Sequence, residues 1–267
     1  MNPIRPTAVA GFFYPAEPST LARDLKDMLA AVQRDAGDAD VPKAIIAPHA
    51  GYVYSGPVAA SAYARLRPAR ERIRRVVLLG PTHRMPVRGL AIPAATAFAT
   101  PLGAVTIDHE ALATIADLPQ VIMSDSAHAL EHSLEVHLPF LQSVLEGFSL
   151  APFAVGRASP EEVAEVLDRL WGGDETLIVV SSDLSHYLPY AVARETDRQT
   201  VDAILRLDAV IDHEHACGGT PVNGLLLAAR RDGLQPHLLD LRNSGDTAGD
   251  RNRVVGYCSV AFAEAPR

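Results

Sequence analysis

Three short segments place titratable side chains directly after an apolar run. In AIIAPHAGYVYSG the run closes at Pro48 and His49 follows; in RVVLLGPTHR it closes before Gly80-Pro81 and His83 follows. In TLIVVSSDLSH, a Ser-Ser pair leads to Asp183 and His186. A lone loop histidine is more often a surface or hydrogen-bonded residue than a ligand. Three such tips together point elsewhere, because ligands of open α/β sheets bind beyond the carboxyl ends of the strands. If the strands are parallel neighbours, His49, His83, Asp183 and His186 face one crevice.

Cys217 joins them as a candidate, standing in HACGGTPVNG just before a helix start. A helix N-terminus stabilises a thiolate and makes such a cysteine a nucleophile or a metal ligand; the plainer reading is a small buried hydrophobe. Cys258, inside the apolar run VVGYCSVAF, takes that plainer reading. Two imidazoles and a thiolate form a soft-to-borderline donor set that suits iron, copper or zinc and leaves a coordination position open. Asp183 and His186 would then act as an acid-base pair or anchor the ligands. A further cluster lies in LEHSLEVHLPFLQSVLEG, where Glu131, His132, Glu135 and His137 fall within seven residues. This is not HExxH, and it reads either as a surface charge cluster or as groups that orient metal-bound imidazoles. NSGDTAGDRN, Asn243 to Asn252, lacks the lysine of a phosphate loop and is a weak candidate for the same crevice. No GxxxxGK[ST], GxGxxG or GxSxG occurs.

Positioning these groups falls to alternating strands and helices. Lys43-Ala47, Arg75-Leu79, Leu150-Val155 and Thr176-Val180 are continuously apolar, as strands of a parallel sheet buried on both faces are. Val254-Phe262 is longer and suits an edge or antiparallel strand. Ser55 is expected to cap a helix with Pro57 near its first turn, Ser159-Pro160 with Glu162 to form a capping box, and Thr220-Pro221 to open a helix that Gly233 ends. Leu134, Leu138, Leu141 and Leu145 recur at helical spacing. The expected fold is α/β, one domain over residues 1–267, with a mostly parallel central sheet flanked by helices.

The bulk numbers fit that reading: 267 residues, 48% of them hydrophobic, suffice for a substantial core. A net charge of −8 argues against a nucleic-acid binder. The one dense basic run, RPARERIRR, reads as a solvated helix end. No apolar run is long enough to span a bilayer, and the first residues have too short an apolar stretch, broken by prolines, for a signal peptide. Two distant cysteines suit a reducing cytoplasm.

The segments RPTAVAGFFYPAEPSTL, APHAGYVYSGPVAA, GPTHR, EHSLEVHLPFLQ, SSDLSHY, CGGTPVNG and NSGDTAGDRNRVVGY follow the order expected for the MEMO family. Bacterial and archaeal members of that family are called AmmeMemoRadiSam system protein B. The chain resembles the family over almost its whole length, and NSGDTAGD resembles the prokaryotic branch. The resemblance implies a fold similar to the class III extradiol dioxygenases, with a metal pocket in an α/β sheet. It implies that His49, His83 and Cys217 take the metal-ligand positions. Asp183 and His186 take positions where the related dioxygenases keep a catalytic histidine. Those dioxygenases use a carboxylate as third ligand, so Cys217 departs from the two-histidine, one-carboxylate set; that weakens the case for ring cleavage and leaves redox metal chemistry open. The resemblance further implies iron or copper as cofactor and an AMMECR1-domain protein and a radical SAM protein as partners. The alternative is a non-enzymatic metal-binding scaffold or peptide-binding module, with Tyr52 and Tyr54 lining its groove.

Overall fold

In the computed structural model, which describes residues 4–32 and 41–264, the apolar runs become the centre of one sheet. The strands are β1 (Ala44–Ala47), β2 (Arg75–Pro81), β3 (Leu90–Ile92), β4 (Ala97–Thr100), β5 (Gly103–Thr106), β6 (Val121–Met123), β7 (Ser149–Val155), β8 (Thr176–Ser181), β9 (His186–Leu188), β10 (Gln235–Asn243) and β11 (Val254–Ala263). The main sheet runs β10-β11-β1-β8-β2-β7-β3-β6, with β9 added to β11; β4 and β5 form a separate hairpin. Its inner strands β1, β8, β2 and β7 are parallel. They are buried almost residue for residue, which is why their sequences show no alternation. β11 is antiparallel to both β1 and β10 and lies inside the sheet rather than at its edge.

Parallel register aligns the tips. Ala47 pairs with Ser181 and Leu79 with Val180, so β1, β8 and β2 end side by side. The loops bearing His49, Asp183 and His83 therefore emerge at one edge, as parallel neighbours must.

Helices α1 (Pro18–Val32), α2 (Tyr52–Tyr63), α3 (His109–Ala113), α4 (Asp125–Ala129), α5 (His132–Glu135), α6 (Leu138–Val144), α7 (Pro160–Leu170), α8 (Tyr190–Leu205) and α9 (Gly219–Arg231) complete the structure. One contiguous apolar core joins them to the sheet. The capping box of α7 is present as expected, with Ser159 and Glu162 bonded reciprocally. Two other expected starts move. Helix α2 begins at Tyr52 behind Gly51, because Tyr52 N donates to Phe13 O and turns the chain early. Ser55 consequently lies inside the helix, bonded to Ala50 O. Helix α9 opens at Gly219 behind Gly218 rather than at Thr220. The leucine stripe is buried, yet it spans two short helices, α5 and α6, that break at Val136–His137. Pro139 sits in the first turn of α6, where its missing N–H costs nothing. The basic run is solvated: Arg70, Arg72 and Arg75 pair with Glu146, Asp174 and Asp108. Among the described residues no helix is long and apolar enough to cross a membrane.

Candidate metal centre

His49 leaves the tip of β1 buried, with its backbone N–H donating to Asp183 Oδ1 at 2.7 Å. Its ring state follows from two neighbours. Ser181 Oγ, at the end of β8, donates its one proton to Ser133 O at 2.6 Å. It can then only accept from His49 Nδ1, also at 2.6 Å. The Nδ1 proton is thereby assigned, and Nε2 carries the lone pair that a metal needs. Burial, followed by the neighbouring imidazoles of His83 and His132, holds the ring well below the ordinary histidine pKa, so it is neutral.

His83, beyond β2, is held from below by Glu131. The carboxylate accepts His83 N at 2.5 Å and lies 2.8 Å from Nδ1. Burial pushes the Glu131 pKa up, but the hydrogen bond and charge of His83, with the N–H groups of His83 and Ser133, outweigh it and bring it down to about 2. An ionised acceptor holds a proton on Nδ1, so in the neutral form of His83 it is Nε2 that carries the lone pair. The approach of α5 to β2 depends on Gly80, where a Cβ would lie 2.7 Å from Ser133 Oγ. That contact delivers His132, whose ring stacks on His83 at 4.5 Å and whose Nδ1 is 3.4 Å from the same Glu131 oxygen. One donor atom from each of His49, His83 and His132 lies within 4.8 Å of the others. Burial, then the charge of His83, lowers the His132 pKa to about 4, again favouring the neutral, ligating form.

The expected third donor, Cys217, is beside this trio on one side. Its Sγ lies 3.3 Å from His49 Nε2, held there by Cys217 N to Asp183 O at 3.3 Å and Gly218 N to Ser182 Oγ at 2.9 Å. The argument from the helix N-terminus fails, however. Burial first, then the charge of Asp183, pushes the thiol up to about 12. Desolvation outweighs the partial charge of the α9 terminus, so this thiol ionises only beside a cation.

Asp183 and His186 both line a cavity of about 600 Å³ that also exposes His132. Burial raises Asp183 to about 7 despite the N–H groups of His49 and Ala50. His186 Nδ1 is 2.8 Å from Leu184 O, which leaves Nε2 as its basic atom. Tyr54 lines the cavity as expected, whereas Tyr52 is buried and donates to Val136 O. The weak candidate loop does reach the crevice, through Ser244, Ala248, Gly249 and Asp250.

Of the acidic helix cluster, Glu131 and His132 belong to the centre, and two residues have other work. Glu135 turns away: its oxygens accept from Arg5 Nη1, Ala8 N, Val9 N and Tyr14 OH, and none from an imidazole. His137 is buried with Nδ1 on Tyr63 OH and Nε2 unpartnered, and burial lowers its pKa to about 3. Sequence reasoning missed Phe13, which packs on His132 at 4.9 Å, and the Ser181–Ser133 pair that sets the His49 tautomer. The Ser-Ser closing an otherwise aliphatic strand was the only signal for the second.

Behind the SSDLSH segment, Asp197 of α8 is 2% exposed and accepts Ser185 N at 3.0 Å. Burial raises its pKa from 3.8 to about 6. The native state therefore binds this proton more tightly than the unfolded chain, so the contribution of Asp197 to stability falls as pH rises between those values. Asp197→Asn is expected to raise stability at neutral pH by about 2 kcal/mol and to leave it unchanged near pH 4. Urea unfolding at both pH values checks this; a variant less stable than the parent at neutral pH contradicts it.

The fold and these side chains define an α/β protein whose parallel strand tips bring imidazoles, a thiol and a buried acid together at one end of the sheet. That donor set fits a borderline cation such as zinc, copper or iron, because two of its rings already have the tautomer that ligation requires. The profile of the family described as Memo-like protein matches residues 5–261. The chain is 38% identical to a MEMO1 family protein of Aquifex aeolicus, over 97% of this chain and 99% of that one. It is 34% identical to a MEMO1 family protein of Sulfolobus acidocaldarius, over 98% and 100%. The protein belongs to the MEMO family. In fold it is similar to the crystal structure of an uncharacterized Escherichia coli K12 protein, with TM-score 0.54 and 14% identity over 83% of this chain and 99% of that one.

Proposed function

We propose that the protein is a metal-dependent redox protein that binds iron or copper at His49 and His83, with Cys217 or His132 completing the set. The observation carrying this reading is that His49 and His83 each have Nδ1 held by a protein acceptor while one donor atom of each, with one of His132, lies within 4.8 Å of the others. A redox-active cation there would supply one-electron chemistry and a site for oxygen or substrate. The chain's own residues do the rest. Glu131 holds His83, Asp183 keeps or gives up a proton near neutrality, and His186 offers a second base on the cavity wall. The family resemblance supports an AMMECR1-domain protein and a radical SAM protein as partners. Two free cysteines suit a cytoplasmic setting.

A second reading draws on the exposed rim of the cavity: Phe12 is 88% and Tyr187 61% exposed. Such a rim suits a module that binds a peptide or partner over the crevice. Anaerobic purification with elemental analysis, followed by oxygen uptake with catechols, thiols or ascorbate, separates the two. Metal without oxygen consumption, in protein that still holds a partner, would favour the binding module.

A further inference from the structure

At the carboxyl end of β7 the chain turns through Gly156, and Arg157 meets Arg88 in an isolated parallel bridge. Three backbone hydrogen bonds tie the crossing: Gly89 N to Arg157 O at 2.9 Å, Gly156 N to Gly89 O at 3.0 Å and Arg157 N to Val87 O at 2.8 Å. Both glycines are required there. A Cβ on Gly89, whose φ is +84°, would lie 2.0 Å from Gln120 O, and one on Gly156 would lie 2.2 Å from Val87 O. The crossing holds two arginines directly opposite each other at the wall of a cavity of about 650 Å³.

Among the described residues neither guanidinium has an ion pair or a hydrogen-bond partner. The nearby carboxylates are engaged elsewhere. Glu162 Oε2 accepts Ser159 N at 2.7 Å, and Glu165 Oε2 accepts Gln120 Nε2 at 2.9 Å. Like charges directly opposite on neighbouring strands are unfavourable by themselves. Here the glycine-dependent crossing imposes that arrangement with neither arginine ion-paired among the described residues; the carboxylate that lines the cavity, Glu162, is turned to the Ser159 backbone. Two arginines on paired backbone positions at one cavity wall can both reach the oxygens of one multiply charged oxyanion.

We propose that Arg88 and Arg157 form a binding site for an oxyanion-bearing small molecule, a phosphate or dicarboxylate whose apolar part lies along Ile122. The site is separate from the metal crevice: the two cavities share no lining residue. It also stands whether or not the redox reading holds, since no metal ligand takes part in it.

Titration calorimetry of the full chain with inorganic phosphate, and in a separate arm with succinate, tests the proposal. The same titrations are run on Arg88→Gln, Arg157→Gln, the double variant, His49→Ala and Arg72→Gln. Arg88 and Arg157 are exposed, so their variants are expected to fold, which circular dichroism checks. The expected result is saturable binding that weakens about tenfold or more in each single arginine variant. It should vanish in the double variant, weaken with added salt, and stay unchanged in His49→Ala and Arg72→Gln. Binding of phosphate alone assigns a phosphate ligand, and of succinate alone a dicarboxylate. Equal affinity in the double variant, or no saturable binding of either probe, overturns it.

Discussion

Metal retention is expected to collapse in His49→Ala and in His83→Ala, with occupancy falling from about one ion per chain to background by elemental analysis. Each substitution removes an Nε2 lone pair that the fold presents through a fixed tautomer: His49 by way of Ser181, His83 by way of Glu131. His132 and Cys217 are already beside the centre in the parent, so losing either ring leaves one donor fewer. Glu131→Gln keeps an acceptor and loses the charge, so its effect is smaller, about 10- to 100-fold in affinity. Cys217→Ser and His132→Ala decide the third donor. The geometry offers both, Cys217 against His49 at 3.3 Å and His132 within the three-imidazole group. The variant that loses affinity more steeply than Glu131→Gln identifies the ligand. Unchanged metal content in the His49 and His83 variants would sink the site.

Loss of the Glu135 carboxylate should be the most damaging single change to the fold. Glu135→Ala removes the acceptor for Arg5, Ala8 N, Val9 N and the Tyr14 hydroxyl, all within a site where Glu135 is 0% exposed. It leaves Arg5, 6% exposed, with only carbonyl partners, at Pro6, His128 and Glu131. Breaking a buried pair in this one-sided way costs about 3–5 kcal/mol. In a chain of this size that lowers the melting temperature by about 10 °C, read by calorimetry. Arg5→Met in the same background should recover part of the loss by removing the stranded charge, whereas the two backbone N–H groups stay unsatisfied. A drop of no more than about 2 °C would mean that water takes over the role of the carboxylate.

The Glu135 network shows what one-dimensional reading could not reach. Its partners are more than a hundred residues away, and no spacing rule connects Arg5 to Glu135. The same limit applies to Cys217. Its position before α9 is visible in the sequence, and the helix-end argument favours a thiolate. Burial and Asp183 reverse the sign, and both are products of packing. Helix starts at Ser55 and Thr220 moved for a related reason: local capping preference yields to a backbone contact such as Tyr52 N to Phe13 O. The capping box at Ser159 needed only residues within four positions, and it formed as expected.

The α/β character, the buried parallel strands and the titratable tips that follow them were legible in the sequence. Those properties depend on hydrophobic periodicity and turn chemistry over a few residues. His49 after β1, His83 after β2 and Asp183 after β8 then meet because parallel neighbours share one end. Which nitrogen of His49 and His83 is held by the protein, that His132 joins the centre, and that Glu135 serves the N-terminal segment became visible only in the folded chain. These outcomes rest on hydrogen bonds and desolvation among groups that the chain brings together only when folded.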